Sequence, residues 1–172
     1  MKKILLFSAL FIVGLNLFSQ PTVKIFAYEQ DNLPGTRPAG VVDENGKPIK
    51  KAAPKKNYFI YLSLKQKYSI KPVQIFIKGQ SYEVGSSTVR KAPVEYTDNI
   101  VPNNPEKTVL VPATDNKVLE LPVAELSLSQ KKTSYIQTLT AKNDVIVAYI
   151  WNGKKYFVSL KQIKKLAPQV NE

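Results

Sequence analysis

Asn152-Gly153 stands between two β-rich runs, Val145–Trp151 and Lys154–Leu160. Both positions of a two-residue type I′ turn need positive φ, and Asn-Gly meets that demand at the least cost. A chain with this signal is committed to a tight antiparallel hairpin. Other short β-rich runs follow the same grammar. Val23–Glu29, Tyr58–Leu64, Val73–Ile77, Ser81–Val84, Thr108–Val111, Val118–Val123, Glu125–Ser129 and Ser134–Thr140 read as strands, cut by Pro, Gly and Asn. Tyr58–Leu64 is almost uniformly apolar and reads as a central strand buried on both faces. Gly85–Pro105 is looser, with three prolines and Asn103-Asn104.

The pattern predicts an all-β fold: a single antiparallel β-sandwich, immunoglobulin-like in architecture, with a short C-terminal helix. The helix is expected over Ser159–Ala167, where Leu160, Ile163 and Leu166 recur every three residues and Pro168 stops the run. Ile77–Val84 echoes Trp151–Val158, both reading apolar, x, Gly, x, x, Tyr, x, Val. Two similar hairpins in equivalent places, or an old duplication, would give this echo.

The N-terminus speaks to compartment. Met1-Lys2-Lys3 is basic, Ile4–Phe18 is apolar apart from Ser8, Gly14 and Asn16, and a small residue, Ser19, precedes Gln20-Pro21. This is the layout of a secretory signal peptide over residues 1–19. The apolar run is too short for a spanning helix, which needs about 20 residues. With no Cys there is no lipid anchor and no disulfide. The expectation is one exported β-rich domain over 20–172, periplasmic or extracellular, with no transmembrane span after cleavage. Within it, 30–57 reads as a Pro/Gly/Lys-rich loop or linker. Its Val41–Ile49 string, with Asn45-Gly46 as a turn, resembles the first turn of carboxypeptidase-regulatory-like sandwich domains. The second turn and following strand of that pattern are missing, and the string is read as turn chemistry.

The chain has no His and no Cys. That excludes His-based triads, thiol catalysis and ordinary zinc sites. The 13 carboxylates are scattered, and Asp43-Glu44 is the only adjacent pair. Ser129-Gln130-Lys131-Lys132 matches S-x-x-K, but K-T-G and S-D-N are absent and the segment reads as strand and turn rather than helix. The seven glycines form no phosphate loop. No catalytic residue, cofactor or metal is expected.

The net charge of +12 falls to +10 once Lys2 and Lys3 leave with the signal. An exported basic protein meets acidic protein faces, acidic glycans and lipid head groups rather than nucleic acid. The expected function is a non-enzymatic binding or accessory protein of a bacterial cell envelope, contacting another envelope protein through a β-sheet surface. The alternative is a binder of anionic glycan or lipid head groups through a Lys/Tyr surface. The candidate partner-binding residues are Trp151, Lys154, Lys155 and Tyr156, gathered at the Asn152-Gly153 tip.

Overall fold

The computed structural model describes residues 20–33, 44–45, 55–98, 106–126 and 133–170. The expected signal peptide lies outside the described residues. So does most of the expected 30–57 loop, of which Glu44 and Asn45 occupy a turn. The ends of that loop belong to strands instead: β1 spans Val23–Leu33 and β2 spans Lys55–Leu64. Then follow β3 (Lys71–Ile77), β4 (Gln80–Val84), β5 (Ser87–Val89), β6 (Val94–Asp98) and β7 (Glu106–Val111). The chain continues through β8 (Lys117–Glu120), β9 (Val123–Leu126) and a helix α1 (Ser134–Lys142). It ends in β10 (Val145–Trp151), β11 (Lys154–Leu160), β12 (Lys164–Lys165) and β13 (Gln169–Val170).

The described residues are mostly β. A first sheet runs β12-β1-β2-β8-β5, with β13 also on β1. A second runs β11-β10-β3-β4-β9, and β6 pairs with β7 in a separate ribbon. Every pairing is antiparallel except those of β12 and β13 with β1, which are parallel.

Side-chain alternation builds the layers. Ala27, Ile60, Leu62 and Leu64 of the first sheet share one core with Ile75, Ile77, Val145, Val147, Tyr149 and Trp151 of the second. The opposite parity of the first sheet, Tyr28, Tyr61 and Val118, packs with Leu110 and Val111 of β7. The opposite parity of the second, Phe76 and Ile146, packs with Ile136 of α1. Strand β2 therefore feeds two cores, which is why its sequence is apolar at nearly every position.

Two expectations are corrected. Ser134–Thr140 is helix, not strand: the Thr133 hydroxyl caps it by accepting the Ile136 N–H at 3.3 Å, and Ile136 and Leu139 cover Phe76 and Ile146. The C-terminal helix is absent. Leu160 closes β11 against the main core, Ile163 is buried there with its N–H bound to the Asp144 carboxylate at 3.0 Å, and Leu166 packs on the opposite face of the first sheet. Three apolar residues at helical spacing thus serve three separate places. The looser stretch also holds more structure than its prolines suggest, since β5 and β6 lie within it.

Candidate partner-binding surface

The Asn152-Gly153 hairpin forms as expected, with φ of 47° and 74°. Of the residues expected to present a partner surface there, Trp151, Lys154 and Tyr156 share one face of the hairpin and Lys155 turns to the other. Trp151 is only 8% exposed and sits in the main core, its ring 6.1 Å from Tyr68 and 5.9 Å from Tyr156. It is a cross-strand packing residue and not an exposed anchor. Tyr156 is half-buried on the same side, stacked on Tyr149 at 5.9 Å. Lys154 and Lys155 are exposed, but Lys155 turns to the outer face, its Nζ 5.7 Å over Phe157. Strand alternation, which the sequence displays plainly, is what separates them.

A better-formed surface lies along β2. Strand β1 covers one side of β2 over its whole length, from Asn32↔Lys55 to Val23↔Leu64. Strand β8 covers the other side only from Tyr61↔Glu120 to Leu64↔Lys117. The Leu121 N–H still reaches the Ile60 carbonyl at 2.9 Å, and then Pro122 carries the chain into the second sheet as β9. Because Ile60 turns its carbonyl to that side, Tyr58 and Lys56 turn their backbone N–H and C=O groups there too. No strand among the described residues pairs with them. Beside them is a cleft of about 650 Å³, lined by Lys56, Tyr58, Phe59, Tyr82, Glu120, Pro122 and Val123 among others.

One end of this cleft is electrostatically fixed. Glu29, 2% exposed, lies opposite Tyr58 in the β1–β2 register. The Lys78 Nζ donates to its two carboxylate oxygens at 2.9 and 2.6 Å, and Lys56 approaches at 3.5 Å. Since Lys78 turns between β3 and β4, the pair ties the second sheet to the first. Lys56 also lies 3.4 Å from Asp31. Desolvation, the largest single effect, pulls the Lys56 pKa down, but Glu29 and Asp31 together outweigh it and the net shift is upward. Burial, with Tyr82 and Glu29 nearby, pushes the Tyr58 phenol up to about 12. Burial and Glu120 push Tyr61 up to about 12 as well. Both phenols are therefore neutral at physiological pH, and Tyr58 is an uncharged aromatic wall of the cleft.

A second recess, of about 290 Å³, opens between the β6–β7 ribbon and the C-terminal strands. Tyr28, Tyr96, Thr108, Lys164 and Lys165 line it, and the Lys164 Nζ lies 5.8 Å over the Tyr28 ring. Behind it, the buried Gln30 side chain donates to the Tyr96 hydroxyl and, at 2.8 Å, to the Ala167 carbonyl. Among the described residues, no group of three or more carboxylates gathers to hold a metal ion. No protein-family model, curated protein or solved structure matches the chain. No helix of the described residues is long and apolar enough to cross a membrane.

The cleft went unread in the sequence because it depends on where β8 stops. Its one visible signal was Pro122, which breaks a run that otherwise reads as a single strand over Val118–Val123.

Proposed function

We propose that this chain is an exported, non-enzymatic binding or accessory protein of a bacterial cell envelope, and that it contacts another envelope protein through a β-sheet surface. The scaffold is read as an immunoglobulin-like sandwich, on the strength of two mainly antiparallel sheets that share one core. The observation that carries the partner reading is the open side of β2 over Lys55–Phe59, with the aromatic cleft beside it. Export rests on the Met1–Ser19 pattern, and intact-mass measurement of the native protein should find about 19 residues removed. A photo-crosslinking side chain placed at Asn57, which lines the cleft, should capture a discrete envelope protein in cells. The same group at Lys154 should capture far less. Equal labelling from both positions counts against the reading.

A second reading is favoured by the recess at Tyr28, Tyr96, Lys164 and Lys165: recognition of an anionic glycan or lipid head group by cationic and aromatic side chains. Binding of acidic oligosaccharide that is lost in Lys164→Glu/Lys165→Glu, with the crosslink at Asn57 unaffected, supports it over the first.

A further inference from the structure

We infer that the open side of β2 receives an extended, acidic segment of a partner protein as an added β-strand, occupying the line that β8 abandons at Pro122. The inference rests on the partner-protein reading above and specifies its chemistry.

Three observations converge on this occupant. The first is backbone geometry. Tyr58 and Lys56 aim two N–H and two C=O groups along one side of β2, at the two-residue interval of a ladder. Among protein partners, another extended backbone meets every group in such a row, whereas a compact or helical one leaves alternate groups to water. The second is the cleft. The existing ladder ends at the Leu121 N–H to Ile60 carbonyl bond, so the incoming strand begins beside Pro122 and runs outward past Lys55. Side chains on one of its faces meet Tyr58, Tyr82 and Val123; those on the other meet Phe59. An alternating segment with apolar residues toward Tyr58 and Tyr82 fits these walls.

The third is charge. At the outer end Lys56 and Lys78 are matched by Glu29 and Asp31, so the exposed Lys55, next to Lys56 in sequence, carries the surplus positive charge there, while the acid lining the cleft, Glu120, is at the inner end beside Tyr61. The occupant therefore carries its acids toward Lys55. The chain's own segments that adjoin these strands in sequence, 34–54 and 127–132, hold six basic residues to two acidic ones. They match the outer end of the cleft poorly, and that favours a partner over self-filling.

The first test needs no ligand. Hydrogen exchange in the free protein, read residue by residue by NMR, should show fast exchange at the Lys56 and Tyr58 amides and slow exchange at Asn57 and Phe59, which face β1. Strong protection of Lys56 and Tyr58 in the free protein means the chain fills its own slot, and overturns the proposal. The second test uses a synthetic peptide of about seven residues alternating Val with Asp. At low salt it should bind and slow exchange at Lys56 and Tyr58, and about 0.5 M salt should weaken it strongly. The same peptide with Lys in place of Asp should not bind; equal binding removes charge from the argument and overturns the acidic assignment.

Lys56→Pro deletes an N–H that faces the slot but not the β1 ladder. It should weaken the acidic peptide about tenfold or more, with Tm lowered by no more than about 8 °C. Asn57→Pro deletes an N–H that faces β1, and should lower Tm further. Undiminished peptide binding by folded Lys56→Pro overturns strand addition. Should that variant fail to fold, the exchange pattern of the wild type decides alone. The two readings part cleanly. If Lys56→Pro still gives the envelope crosslink at Asn57, the partner stands and strand addition falls. If the peptide protects Lys56 and Tyr58 while no envelope protein is captured, the slot stands and the envelope partner falls.

Discussion

The β3–β4 and β10–β11 hairpins lie side by side in the second sheet and close with the same backbone conformation. Lys78-Gly79 has φ of 47° and 80°; Asn152-Gly153 has 47° and 74°. Asn enters the left-handed region readily, whereas Lys does so at a cost of about 1 kcal/mol. The difference lies in what each turn residue reaches. The Lys78 ammonium holds the buried Glu29 carboxylate of the other sheet, and its N–H donates to the Asp144 carbonyl at 2.7 Å. Asn152 sits at a tip where a Cβ added to Gly153 would touch nothing within 4 Å. One turn is dictated by local chemistry. The other is held in an unfavourable conformation by a tertiary contact worth more than the strain.

The largest expected effect tests whether the second tip is as well packed as the first. Trp151→Ala should cost about 3–4 kcal/mol in denaturant unfolding, because it empties the space between Tyr68 and Tyr156. A loss below about 1 kcal/mol would return Trp151 to the surface. Next, Lys78→Met should cost about 2–3 kcal/mol, since Glu29 keeps only the longer contact with Lys56. Lys78→Asn sharpens the point: it relieves the turn yet loses the ion pair. A Lys78→Asn protein as stable as wild type would show that backbone conformation, not Glu29, governs this hairpin. In the second hairpin the order reverses. Gly153→Val should cost about 1–2 kcal/mol from backbone strain alone, and Asn152→Lys about 1 kcal/mol, with no ion pair to offset it.

The smallest effect is silent at neutral pH and belongs to the surroundings of the first hairpin. Tyr58, 6.2 Å from Tyr82, and Tyr61 both titrate near 12 rather than 10. The folded state holds these protons more tightly than the unfolded one. Their contribution to stability is therefore complete below pH 10 and lost as pH rises from about 10 to about 12. Ultraviolet titration should show two phenols ionising late, and Tyr58→Phe should remove one of them and reduce the alkaline loss of stability.

These contrasts explain what the sequence made legible. The Asn152-Gly153 turn and the two-faced burial of β2 were readable because each is set within about ten residues by φ requirements and alternation. The helix α1 was hidden by Tyr, Ile and Thr, which suit strands; the informative residue was Thr133, whose cap outweighs that propensity. Leu160, Ile163 and Leu166 imitated a helix because their partners, on β10, Asp144 and β1, lie far away in sequence. The candidate cleft and the Glu29 pair were invisible for the same reason. Both are created where strands from distant parts of the chain meet or fail to meet.

The parallel strands β12 and β13 carry a consequence for timing. They pair with Tyr28, Glu29, Asn32 and Leu33, so β1 receives its outer neighbours from residues more than 130 positions further along the chain. Until 164–170 arrive, β1 has one bare side and its sheet is unfinished. Such long-range closure is intrinsically slow, so this sheet is completed late in folding.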